Sequence, residues 1–147
     1  MKFGILSNLT ILTDDMIEWL VKNKIGIQVS LDDLEQSKPL NTGENSASLV
    51  LKNIERLKEA KVSFTINTVF DYSKTKSLKK LIDYVCQQPI SQYGFSASFT
   101  INDDTCIDEI MDQIKLAILR LKENRFDVRT SIFTTGLYYR NVLIAVY

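Results

Sequence analysis

The sequence contains no histidine. That removes an imidazole base, a His-Asp-Ser triad, His-liganded zinc and a near-neutral histidine switch from its chemistry. Cysteine is almost as scarce. Cys86 and Cys106 are the only 2 thiols, too few for the ligand set of a common iron–sulfur or zinc site. Charge of one sign is missing too: 18 Lys+Arg balance 18 Asp+Glu, so there is neither the basic excess nor the basic stripe that phosphate backbones call for. No stretch reaches the about 18 consecutive apolar residues of a membrane helix. The apolar start, Met1 to Leu6, gives way to Asn8 and Thr10 and is too brief for a signal peptide. These absences lead to the expectation of a cytoplasmic protein with reduced thiols, binding neither nucleic acid nor membrane.

What remains is an ordinary globular composition. The 147 residues are 45% hydrophobic and 24% charged, enough for one domain spanning the whole chain, 1–147. A chain of this size buries roughly 68–70% of its unfolded surface and needs no metal or disulfide staple.

Short β-prone runs alternate with segments of helical period. Met1 to Leu6 is the first expected strand. Thr13 can cap a helix from Asp14 to Lys24, with acidic residues in its first turn, lysines in its last, and Met16, Ile17, Leu20 and Val21 on an apolar face. Ile25 to Leu31 is the second strand, and the long polar loop from Asp32 to Asn45 suggests function at that end. Ser46 can cap a helix running to about Ala60 with Val50, Ile54 and Leu57 inward. From Val62 to Phe70 the alternation is clean: Val62, Phe64, Ile66, Thr68 and Phe70 face one way, Ser63, Thr65, Asn67 and Val69 the other. A helix from Thr75 stopped by Pro89, a strand from Tyr93 to Phe99, a helix from Thr105 to Glu123 and a strand from Asp127 to Phe133 complete the rhythm. Tyr138 to Tyr147 is β-prone, and Thr134-Thr135-Gly136 before it allows a C-terminal hairpin. The fold class is α/β, with about five parallel strands and about four helices, either a doubly wound sheet or a partial (β/α) barrel.

Three local patterns share a resemblance. Ser7-Asn8-Leu9-Thr10-Ile11-Leu12-Thr13-Asp14-Asp15-Met16-Ile17 is similar to the T-N-G-T-L-L-T-D-E run after the third strand of radical S-adenosylmethionine enzymes, particularly the sulfatase-maturase and peptide-modifying branch. Ile27-Gln28-Val29-Ser30-Leu31-Asp32 resembles that family's fourth strand, V-S-L-D-G, and Ile66-Asn67-Thr68-Val69 its fifth. Lys38-Pro39, Gly43, Ser46 and Asn53-Ile54 fall where those proteins show an R-P pair, a glycine, a capping serine and an N-I pair. The likeness is best from Met1 to Val85 and continues as a βα rhythm to about Phe133.

The resemblance implies a partial barrel whose strand ends hold a cofactor. Ser7 and Asn8, Ser30 and Asp32 would contact the ribose or methionine part of S-adenosylmethionine; Lys38, where the family often has arginine, would offer a point charge rather than a bidentate fork. Asn67 would face the mouth as a substrate ligand. The family's C-x-x-x-C-x-x-C loop, which holds a 4Fe–4S cluster, has no counterpart here, and Cys86 and Cys106 do not replace it. The chain alone should therefore carry no cofactor and no activity; S-adenosylmethionine and the cluster belong to the parent. Either it is a fragment of such an enzyme, or a degenerate relative that binds a peptide or partner on its concave face. An unrelated α/β domain with a site at a topological switch point is the third reading. Ser7 and Leu9 stand where threonine and glycine are usual, which favours decay of the site. An unpaired strand edge suggests a homodimer, association with a missing barrel half, or cover by Tyr138–Tyr147.

The same residues have plainer readings. Ser30 and Asp32 can be a strand-end hydrogen bonder and a turn residue, Ser7 and Asn8 loop or cap residues, and Asn67 a satisfied polar side chain. Asp32-Asp33 and Asp103-Asp104 fit loop solvation better than a cation site. Cys86 and Cys106 read as small core or surface residues and Trp19 as packing, whereas for Tyr138-Tyr139 an interface is the sharper alternative to a plain β segment.

Overall fold

The structure is a computed structural model and describes residues 4–35, 46–71, 75–90, 92–100, 107–124 and 127–135. Strands and helices alternate: β1 (Gly4–Ser7), α1 (Asp14–Asn23), β2 (Gly26–Ser30), α2 (Ser46–Glu59), β3 (Phe64–Asp71), α3 (Thr75–Cys86), β4 (Gln92–Thr100), α4 (Ile107–Glu123) and β5 (Asp127–Thr135). The strands lie side by side in chain order, every adjacent pair parallel. A βαβ crossover takes one hand almost without exception. Because the order never reverses, successive crossovers fall on one face. A doubly wound sheet needs a reversal, so the partial barrel is the architecture, and no switch point exists among the described strands. The expected terminal hairpin, Tyr138-Tyr139, Cys106 and Asp103-Asp104 lie outside the described residues.

The two faces of the sheet differ. Ile27 and Val29 of β2, Phe64, Ile66 and Phe70 of β3 and Tyr93 and Phe95 of β4 are buried in one core with Leu20, Val50, Ile54, Leu57, Leu81, Val85, Ile114 and Leu121 from the four helices. On the opposite face Leu6, Gln28, Val69 and Gln92 are exposed, while Ser30, Thr65, Asn67, Gly94 and Ser96 are half-buried. The alternation expected for β3 is thus realised, with Thr68 buried on the core side, where its hydroxyl donates to the Leu31 carbonyl at 2.7 Å.

Helix α1 departs from expectation. Thr13 does cap it, accepting from the Met16 amide at 3.3 Å. Of its expected apolar face only Leu20 is buried, however, and Ile17 is half-buried; Met16 and Val21 are exposed. Trp19, read as packing, is 50% exposed. The physical reason is position: α1 follows the edge strand β1, so it has a neighbouring helix on one side only. Ser46 is the first helical residue of α2, one place inside the expected cap.

Candidate functional site

Parallel strands place their C-terminal ends together, and the sequence-expected residues gather there. Ser7 closes β1 and Ser30 closes β2. Ser30 pairs in register with Asn67, and Asn67 with Gly94, which forms one row across β2, β3 and β4 on the uncovered face. A Cβ at Gly94 would come 2.1 Å from Asn67 Oδ1. Glycine is needed there for Asn67 to lie as it does.

Several expected ligands already have backbone partners. Ser7 Oγ accepts from the Leu9 amide at 3.0 Å. Asn8 Oδ1 accepts from the Thr10 amide at 3.3 Å and the Thr10 hydroxyl at 3.1 Å. In both side chains the acceptor is used locally, and the donors, the Ser7 hydroxyl proton and the Asn8 amide protons, remain. Asp32 Oδ1 accepts from the Val69 amide at 2.9 Å, and the Leu31 amide donates to the Asn67 carbonyl at 3.0 Å. Side-chain chemistry thus continues the β2–β3 ladder past the end of β2 and leaves Asp32 its second carboxylate oxygen. Asp33 Oδ1 accepts from the Glu35 amide at 3.0 Å, so each of the two neighbouring carboxylates has one oxygen engaged by a backbone amide. Lys38 lies outside the described residues.

The loop from Ser7 to Thr13 is anchored by Asn53, noted in the sequence only as part of the N-I pair, and by Arg56, which the sequence did not single out. Leu9 has φ 53, the left-handed region, and its side chain is buried. Its carbonyl accepts from Asn53 Nδ2 of α2 at 3.0 Å. Arg56 Nη1 donates to Asn53 Oδ1 at 3.2 Å and to the Leu12 carbonyl, and Arg56 Nη2 meets Asp14 Oδ1 at 2.5 Å. The signal was in the sequence: Asn53 falls on the stripe of Val50, Ile54 and Leu57, an amide on an apolar face.

Burial raises three titratable groups near the core. Burial pushes the Tyr84 hydroxyl up to about 12, with Glu55 adding to the shift. Burial also raises Tyr93, whose hydroxyl lies near Thr68 without a hydrogen-bond geometry to it. The Cys86 thiol is raised by burial, the nearby Arg120 opposing and Asp83 reinforcing. No group of three or more metal-ligating side chains occurs among the described residues. A groove of about 400 Å³ between α3 and α4, lined by Leu78, Ile82, Leu116 and Ala117, belongs to the helix layer rather than to the polar face.

A sheet wound in one direction, helices on one side and polar residues on the other, is a section of a parallel (β/α) barrel. No protein-family profile and no curated protein matches the sequence. Among solved structures the chain is similar to SuiB of Streptococcus suis, with TM-score 0.62 and 18% identity over 92% of this chain and 33% of SuiB. The crystal structure of SuiB bound to S-adenosylmethionine matches with TM-score 0.62 and 17% identity over 92% of this chain and 33% of that one. SuiB bound to precursor peptide SuiA matches with TM-score 0.61 and 16% identity over 90% and 32%. The chain spans about a third of SuiB's length, and at these identities the likeness is one of fold. No helix among the described residues is long and apolar enough to cross a membrane.

Proposed function

We propose that this chain is the strand-mouth section of a radical S-adenosylmethionine enzyme of the sulfatase-maturase and peptide-modifying branch, inactive alone and working in the cytoplasm as one domain of a larger barrel. The observation that carries this reading is the uncovered row of Ser30, Asn67 and Gly94, flanked by the Ser7–Asn8 loop and Asp32. The row has the donor set such a ligand asks for. Ser7 and Asn8 keep protons for a carboxylate or carbonyl, Asp32 keeps an oxygen for ribose hydroxyls, and Ser30 and Asn67 can both give and accept. Lys38 would add positive charge from the loop after β2. Asn67, held over Gly94, is the residue set to meet a peptide substrate. When bound, S-adenosylmethionine, given one electron by the parent enzyme's cluster, would supply the hydrogen-abstracting chemistry. This chain's part is to bind and orient, because 2 cysteines do not hold that cluster. The structures of SuiB with S-adenosylmethionine and with a precursor peptide support the choice of ligand classes.

Leu9 in the left-handed region, where the family has glycine, favours a second reading: a non-catalytic module that binds a peptide or partner on the same face. Genomic sequence upstream of Met1 separates the two. A continuous frame carrying C-x-x-x-C-x-x-C is expected; an in-frame stop without it sinks the fragment reading. Calorimetry with S-adenosylmethionine on this chain is expected to show little binding, whereas clear binding lost in Ser30→Ala would mark a site complete without the rest of the barrel.

A further inference from the structure

We infer that Asn53 and Arg56 of α2 are positioning residues that fix the loop between β1 and α1, and through it the orientation of Ser7 and Asn8. The role in ligand binding rests on the reading proposed above; the clamp itself does not.

One turn of α2 holds this loop at three acceptors. Asn53 Nδ2 takes the Leu9 carbonyl, and the Arg56 guanidinium takes the Leu12 carbonyl and the Asp14 carboxylate, with Asn53 Oδ1 tying the two clamping side chains together. Neither carbonyl belongs to a strand ladder, so without these donors each would need water. Packing alone does not explain the choice. Asparagine is a weak helix former, and a buried amide is costly unless bonded, whereas leucine would suit both the helix and the stripe. Stability alone does not explain Arg56 either, since its Asp14 partner is 90% exposed and such pairs contribute little.

The geometry ties the clamp to the candidate ligands. The carbonyl Asn53 holds belongs to Leu9, whose own amide donates to Ser7 Oγ, and the next amide, of Thr10, donates to Asn8 Oδ1. Turning the Leu9 peptide planes would release both acceptors and change which atoms Ser7 and Asn8 have left for a ligand. The loop after β1 is thereby fixed to α2, the helix that follows β2 in the chain.

Amide hydrogen exchange on the full chain tests this without any ligand. Asn53→Asp keeps the size and the acceptor for Arg56 but sets a carboxylate oxygen against the Leu9 carbonyl. Exchange at the Leu9 amide is expected to accelerate about tenfold or more, the loss of roughly one buried hydrogen bond, while the Ile27 amide, bonded to the Ser63 carbonyl at 3.0 Å, keeps its rate. Arg56→Lys retains charge without the fork and is expected to give a smaller acceleration at Leu9; it also serves if Asn53→Asp does not fold. An unchanged Leu9 rate, or equal acceleration at Leu9 and Ile27, overturns the clamp, the latter because it reports loss of global stability alone. Failure of S-adenosylmethionine to bind any larger form of the protein would remove the ligand reading and leave the exchange result standing.

Discussion

Leu9 is subject to two opposing demands. Its backbone sits at φ 53, a region that costs a residue with a Cβ about 1–2 kcal/mol, and its side chain is only 1% exposed. Full burial of a leucine is worth about 1.5–3 kcal/mol, so the side chain repays the strain and leucine persists where the resembled family uses glycine. This makes an unusual ordering of variants. Leu9→Ala loses the burial and keeps the strain, and is expected to destabilise by about 2–4 kcal/mol. Leu9→Gly loses the same burial but relieves the strain, and is expected to be about 1 kcal/mol more stable than the alanine variant. Urea unfolding of the two proteins decides it; an alanine variant as stable as the glycine variant would remove strain from the account. The same position shows how far sequence reaches: the substitution is visible there, but the positive φ that gives it meaning, and the Asn53 hydrogen bond to the same residue's carbonyl, appear only in the structure.

At the scale of elements, α1 and α2 end alike. Lys24 has φ 54 and Lys61 φ 55. The next amides, of Ile25 and Val62, reach back to the carbonyls of Leu20 and Leu57 at 3.1 and 2.9 Å. This is the glycine-type helix stop made with lysine. Lys61→Gly is therefore expected to raise stability by about 0.5–1 kcal/mol, strain relief exceeding the added chain entropy, read as a higher thermal midpoint; a lower midpoint would mean the lysine stem packs more than its exposure suggests. Elements were also where the sequence was most readable. The period of 2 in β3 predetermines both faces, and the structure buries Phe64, Ile66, Thr68 and Phe70 accordingly. Periodicity failed at α1 because it ranks faces without knowing that a helix lies at a sheet edge. For the site, the family resemblance rather than periodicity singled out Ser7, Ser30, Asp32 and Asn67, which the structure brings to one end of the sheet. Neither revealed that Ser7, Asn8 and Asp32 had backbone partners, because those bonds depend on how loops fold back.

The molecule as a whole has a lopsided surface. Of the 9 large exposed hydrophobic side chains among the described residues, Ile5, Leu6, Ile11, Met16, Trp19 and Val21 all come from β1, α1 and the loop between them. They sit where the sheet order leaves β1 with β2 as its one described neighbour strand. Leu6, 68% exposed, lies on the uncovered face beside Gln28, and α1 lies on the other side of the sheet. An edge with one described neighbour strand and apolar residues on both sides is a template for another strand and its helix. That is the surface through which this chain is expected to self-associate or to join a complementary barrel section. Sedimentation equilibrium should then give an average mass above 16.8 kDa that climbs with concentration. Leu6→Lys puts on that edge the charge that natural edge strands use against pairing, and Trp19→Glu removes the apolar helix face; together they are expected to return the mass to that of a monomer with little change in the urea midpoint, both side chains being exposed already. A wild-type chain that stays monomeric at every concentration would show that the edge is covered from within. Association that survives both substitutions would move the contact elsewhere, to the α3–α4 groove with its neighbouring exposed Leu116 and Leu119.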